Sequence, residues 1–272
     1  MAKKILSILL LVTGLLALGY PSISKYLSDR NSSYTTDTYE KKIQAMDKDR
    51  LKKLWQEAEE YNENLTGSPV HDPFVPGSGI VMPKNYYHVL NVDGVMASVE
   101  IPKINVKLPV YHGTSEDVLK KAPGHLEGST LPIGGKGRHA VITGHTGLAN
   151  AKVFTDLVEL KADDKFYIKV LGKTLAYKID QIQVIEPNHT EALKTVSGKD
   201  YVTLLTCTPY GVNSHRLLVR GVRVKYDSKQ QKDTEQNGLT SEQKILILAA
   251  VITSVVMLIV IIVVSLYRRK KG

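Results

Sequence analysis

Cysteine is almost absent: Cys207 is the only one in 272 residues, so no intrachain disulfide can staple the fold. The acids and the eight histidines do not recur at metal-ligand spacing, which argues against a metal enzyme, and no cofactor is expected. There is no internal repeat and no low-complexity tract. A basic stripe is missing too. The formal charge is +9, but Lys3, Lys4, Arg268, Arg269, Lys270 and Lys271 stand at the two ends beside apolar runs, leaving the middle nearly balanced. That excludes a nucleic-acid footprint. With 43% hydrophobic residues the chain can bury a core in one large domain or two small ones.

What is present begins with two apolar runs. Ile5 to Gly19 follows two lysines and is shorter than a spanning helix prefers, so residues 1–21 read as a signal peptide or N-terminal membrane anchor, with Ala17 and Gly19 as a small-x-small cleavage pattern. Ile245 to Tyr267 carries no charge and, at about 1.5 Å per residue, can cross a bilayer core of about 30 Å. The basic cluster of residues 268–272 puts the C-terminus in the cytoplasm, Lys3 and Lys4 put the N-terminus there as well, and the region between is expected outside the cell. A lone exported thiol is either a buried, inert cysteine or a reactive one.

Between the runs the texture changes several times. Residues 22–37, polar and without an apolar period, are expected to be a linker. From Thr38 to about Tyr61, Ile43, Met46, Leu51, Leu54, Trp55, Ala58 and Tyr61 recur at helical intervals, which predicts one amphipathic helix or two short ones packed on the domain core. The proline- and glycine-rich stretch to Asn91 is a long loop, so residues 38–91 form a helical extension with a loop. Residues 92–226 then hold short β-prone runs: Ala97–Ile101, Val106–Val110, His139–Thr143, Phe166–Val170, Thr174–Val184, Tyr201–Thr206 and Leu217–Val224. A hairpin turn is expected at Leu171-Gly172-Lys173. This spacing predicts a mainly β domain, a closed barrel or a sandwich. Residues 227–244 are a charged spacer.

Cys207 closes one of these runs and precedes Thr208-Pro209, where a strand must stop, so its thiol would be both positioned and reachable. Arg216 begins the next run; if the two pair, its guanidinium lies near the thiol, where it would favour the thiolate and could donate to an oxyanion. His145 follows its strand through Gly144 on a tight turn and is the candidate proton-transfer group. His215 is the rival, but as the neighbour of Arg216 on a strand it points to the opposite face. No acid is placed to complete a triad.

The segments Thr203-Leu204-Leu205-Thr206-Cys207, Gly144-His145-Thr146-Gly147 and His215-Arg216-Leu217-Leu218-Val219-Arg220-Gly221 match, in order, the cysteine, histidine and arginine motifs of sortases. Ile101-Pro102-Lys103-Ile104 and Leu131-Pro132-Ile133-Gly134-Gly135 extend the likeness, which runs from about Asn91 to Val224. The resemblance implies an eight-stranded barrel. It also implies attack of Cys207 on the Thr-Gly bond of an LPXTG-like sorting signal and resolution of the thioester by an amine. His145 would be the acid and base, and Arg216 the oxyanion stabiliser. The C-terminal apolar segment, the helical extension and Asp72-Pro73-Phe74 resemble class C, the pilin-polymerising branch, in which such a lid pairs its acid with the arginine and covers the cysteine. Its partners would be pilin subunits with LPXTG-like signals and acceptor lysines, and the membrane. A lid ion pair with partial solvent access would contribute at most about 1 kcal/mol. The alternatives are a cell-wall-anchoring sortase, a secreted cysteine protease and a non-catalytic pilin-binding scaffold.

Overall fold

The computed structural model describes residues 20, 24, 27–65, 70–75, 82–148, 151–187, 189–229 and 231. The expected N-terminal anchor or signal segment, residue 20 apart, and the expected spanning segment 245–267 with its basic tail fall outside them. Among the described residues no helix is long and apolar enough to cross a membrane.

The expected linker is instead helical. Helix α1 covers residues 27–45 without interruption. Its buried face is made by Ser32, Thr36, Tyr39 and Ile43, which recur at four- and three-residue steps. Two of the four are hydroxyl residues, so a search for apolar periodicity passes over them. Thr36 donates its hydroxyl to the Ser32 carbonyl (2.9 Å), which lets it sit buried without an unsatisfied group. Helix α2 (Lys48–Asn64) starts at Asp47, whose carboxylate accepts from the Arg50 amide at 2.8 Å. The break at residues 46–47 makes the expected amphipathic stretch two helices. Asn62 at the end of α2 is buried and clasps the barrel backbone twice, accepting from the Leu131 amide (2.7 Å) and donating to the Leu131 carbonyl (3.3 Å). Asn62→Ala leaves both backbone groups unpaired. It is expected to cost about 2 kcal/mol, read as a lower denaturant midpoint with an unchanged slope.

Eight strands close into a barrel in the order β1-β2-β3-β4-β7-β8-β6-β5. They are β1 (Val95–Ile101), β2 (Val106–His112), β3 (Gly124–His125), β4 (Arg138–Thr143), β5 (Lys165–Val170), β6 (Lys173–Ile185), β7 (Asp200–Thr208) and β8 (His215–Val224). Seven match the β-prone runs within a few residues. The two-residue β3 is too short to leave a pattern; it pairs with β2 and β4 and thereby closes the ring. Val170 and Lys173 face each other across Leu171 (φ 45°) and Gly172 (φ 76°), the two-residue hairpin turn with both central residues left-handed. The interior is filled by residues such as Ala140, Ile142, Val202, Leu204, Leu217 and Val219.

Outside the barrel, residues from before the first strand and after the last meet on one wall. Glu100 of β1 pairs with Lys169 of β5 (2.8 Å) and lies 3.8 Å from Lys107 of β2. Asp37 of α1 accepts from Lys107 at 2.8 Å, Glu40 lies 3.4 Å from Lys169, and Gln231, beyond the last strand, donates to Glu100 at 2.7 Å.

Candidate active site

Strand register assembles the site. Cys207 on β7 faces Arg216 on β8, and Arg216 faces Ile185 on β6. On the other side β4 runs parallel to β7 with Thr143 opposite Leu205, and the ladder continues through the Gly144 amide, which donates to the Leu205 carbonyl at 3.0 Å. Two residues beyond Thr143 and Leu205 are His145 and Cys207. With side chains alternating, His145, Cys207 and Arg216 occupy one row on the outer face. The next row holds Thr143, Leu205 and Leu218, and the one after it Val141 and Thr203. Val141, Leu205 and Leu218, with Leu126, Ile185 and Leu193, form an apolar strip distinct from the barrel interior.

The turn carrying His145 is held from both sides. Thr206 donates its hydroxyl to the Gly144 carbonyl (2.7 Å) and the Phe154 amide donates to the His145 carbonyl (3.1 Å). A Cβ at residue 144 would stand 2.7 Å from the Val153 side chain and 2.8 Å from the Phe154 ring, so only glycine fits there. Arg216 is 5% exposed, and its Nη1 donates to the carbonyls of Asn213 (3.0 Å) and His215 (3.1 Å). Asn213 reaches its position through a left-handed backbone (φ 59°), which asparagine tolerates; nothing in the sequence marked it as the support of Arg216. His215 is exposed and pairs with Ser214, on the face away from the row, as strand alternation required.

The segment 70–75 lies across this row. Asp72 is 6% exposed and its Oδ2 is 2.7 Å from Arg216 Nε, while its Oδ1 accepts from the Phe74 amide at 2.9 Å. The Phe74 ring is 5.1 Å from the His145 ring, and the Arg216 guanidinium carbon is 5.2 Å from the centre of the same ring. Phe74 and Val70 also pack on the apolar strip. The ion pair therefore differs from the half-solvated bridge expected from sequence: both partners are enclosed.

Enclosure also sets the charge states. Burial pushes the Cys207 thiol up to about 11; the nearby Arg216 cation opposes this, and the Asp72 carboxylate reinforces it. The arginine lowers the thiol as its position suggested, but burial outweighs it and its charge is shared with Asp72. Burial lowers the His145 pKa, and the Glu116 carboxylate partly opposes it. Glu116 stands on the short α3 (Glu116–Leu119) and was not singled out from sequence, where an isolated acid carries no signal. Among the described residues no cluster of histidine, cysteine and acids could hold a metal ion.

With the geometry in place, comparisons with known proteins agree on its class. A sortase-domain profile matches residues 99–224. The solved sortase C-1 of Streptococcus pneumoniae is 45% identical, with a TM-score of 0.69, over 71% of this chain and 100% of that one. The pilus-related sortase C of group B Streptococcus is 41% identical, with a TM-score of 0.66, over 70% of this chain and 97% of that one. Sortase A of Bacillus anthracis is 26% identical over 80% of this chain and 92% of that protein. Sortases, the family that all three comparisons return, are cysteine transpeptidases. The chain belongs to the sortase family, and its structural likenesses fall in the class C branch.

Proposed function

We propose that this protein joins pilin subunits covalently, with Cys207 as nucleophile, His145 as proton carrier and Arg216 as oxyanion stabiliser. The observation that carries the reading is the single row of these three side chains on neighbouring strands, covered by a segment that engages two of them. The pilus-related relative, 41% identical, supports a pilin as the acyl donor.

In the reaction His145 takes the Cys207 thiol proton as Sγ attacks the threonine carbonyl of an LPXTG-like signal, and the negative oxygen of the tetrahedral intermediate receives hydrogen bonds from Arg216 once Asp72 has left it. The C–N bond breaks as His145 protonates the departing glycine amine, leaving a thioester. A lysine amine of the next subunit then attacks, His145 takes its proton, and the thiol leaves, closing an isopeptide bond. Asp72, Pro73 and Phe74 act as a lid that holds the resting enzyme closed. The catalytic domain lies on the extracellular face of the membrane, tethered by the C-terminal apolar run, with the N-terminal run as signal peptide or second anchor, since a growing polymer must be assembled where exported subunits arrive.

The test is incubation of the full chain in detergent with a candidate pilin, mapping the product by mass spectrometry. An isopeptide between the signal threonine and a pilin lysine is expected. Release to water alone indicates a protease, transfer only to a wall-peptide amine an anchoring sortase, and no acyl-enzyme a scaffold. His145→Ala and Arg216→Ala should each lower kcat/KM by about 100-fold or more, mainly through kcat, because both act on charge that develops during reaction. His215→Ala should stay within about threefold, since its side chain faces away. Equal losses at His145 and His215 would remove the assignment of the proton carrier.

A further inference from the structure

The first half of helix α1 is amphipathic the wrong way round for a helix that only packs on a barrel. Inward it buries the hydroxyl residues Ser32 and Thr36, while Leu27 (57% exposed) and Tyr34 (71% exposed) stand outward. Seven residues carry a helix through nearly two whole turns, so Leu27, Tyr34 and the exposed Lys41 fall on one line along it. Arg30, also exposed, lies three residues after Leu27 and four before Tyr34, on the same stripe. Tyr20, helical and exposed, keeps the seven-residue spacing.

The acids of the helix are turned elsewhere. Asp37 and Glu40 reach back to Lys107 and Lys169 on the barrel, and Asp29, two residues after Leu27, falls on nearly the opposite side of the helix. The outward stripe is therefore apolar, aromatic and basic. Apolar side chains left in water on a helix whose inner face takes hydroxyls call for a second contact.

The neighbouring chain says what that contact is. The stripe starts where the apolar run Ile5 to Gly19 ends, and Gln231, from which the chain runs on to the second apolar run, is held on the same wall of the barrel. The composition fits the boundary between acyl chains and headgroups, where a tyrosine ring sits with its hydroxyl toward water and arginine and lysine meet phosphate.

We infer that the outward face of α1 lies on the membrane as an interfacial helix, with Leu27 and Tyr34 seated at the acyl boundary and Arg30 and Lys41 on the phosphates of anionic phospholipids. From Leu27 to Lys41 this footing is about 21 Å long, at about 1.5 Å per residue. The barrel then stands on α1. Tyr39 of α1 donates to the Met96 carbonyl of β1 at 3.2 Å, and β7 with Cys207 lies across the barrel from β1, so the thiol faces away from the bilayer. The inference needs the membrane tether proposed above and not the reaction.

Cys207 is the only cysteine, so the full chain carrying Cys207→Ala can be labelled at one introduced cysteine. An environment-sensitive dye is placed through Tyr34→Cys or, on the exposed β7–β8 loop, through Val212→Cys. Each protein is reconstituted into vesicles of equal parts phosphatidylglycerol and phosphatidylcholine, with a nitroxide quencher high on the acyl chain. The dye at position 34 is expected to be quenched about threefold or more, and the dye at position 212 to keep its intensity to within about a fifth. Arg30→Glu combined with Lys41→Glu, or vesicles of phosphatidylcholine alone, should each remove most of the quenching at position 34. An unchanged unfolding midpoint shows that the charge reversals leave the barrel intact. No quenching at position 34, equal quenching at both positions, or quenching indifferent to both charge changes overturns the inference. Energy transfer between two labelled copies without lipid quenching assigns the stripe to a second copy of the chain instead. A chain that does not float with the vesicles overturns the tether, and the footing with it.

Discussion

Cys207→Ala is expected to abolish acyl-enzyme formation completely while leaving the barrel folded. Alanine occupies most of the volume of the thiol, and the site is 7% exposed on a strand paired on both sides by β4 and β8. The transition should therefore keep its midpoint to within about 1 kcal/mol. No second thiol exists in the chain to take over, since Cys207 is the only cysteine. Any residual transfer must then come from water or free amine without a covalent intermediate. The measurement is mass spectrometry of the protein after incubation with a signal peptide. An acyl adduct on the variant, or pilin polymer made by a strain carrying only this variant, would remove the thiol from the mechanism.

Asp72→Ala combined with Phe74→Ala should make Cys207 react at least tenfold faster with a small thiol reagent at pH 7. A thiol near pKa 11 is ionised to only about one part in ten thousand at that pH, and labelling follows the thiolate. Removing the lid acts in one direction through both causes: it admits water, which relieves the burial that raises the pKa, and it deletes the carboxylate that raises it further while freeing Arg216 to lower it. The labelling-versus-pH curve should accordingly move to lower pH. Because Asp72 and Arg216 are both enclosed, the pair is not a surface bridge worth about 1 kcal/mol; removing one partner of a buried pair leaves an uncompensated charge, at a cost of about 3–5 kcal/mol. Much of that cost disappears if the segment lifts and Arg216 becomes hydrated, which is the sense in which the closed state is lost. Pilin joining should persist in the variant, since no reacting group is removed. Unchanged or slower labelling would mean that the segment does not guard the thiol.

The barrel was largely legible because its strands are β-branched runs punctuated by glycine, proline and asparagine, and because the Leu171-Gly172 turn has the residues its backbone demands. Its closure was implied by the family motifs and not by local pattern, since β3 is held by two neighbours rather than by any pattern of its own. Helix α1 escaped notice for a chemical reason: Ser32 and Thr36 can be buried on a helix when their hydroxyls bond back to the preceding turn, so polarity in sequence did not mean exposure. That Cys207, His145 and Arg216 would come together was readable from strand ends and alternation. The protonation of Cys207 was not, because it depends on how closely residues 70–75 seal the row, a property of loop conformation that composition does not encode.

The charged cluster on Glu100 has a geometric sequel. In a ring of eight strands ordered β1-β2-β3-β4-β7-β8-β6-β5, β1 is diametrically opposed to β7, β2 to β8 and β5 to β4. The wall that gathers Asp37, Glu40 and Gln231 is therefore the antipode of the wall that carries Cys207, Arg216 and the extension bearing His145. Helix α1 and Gln231 are thus held side by side on one wall, like two lines made fast to one bollard. A substitution that loosens this cluster, such as Glu100→Ala, therefore acts on the wall farthest from Cys207.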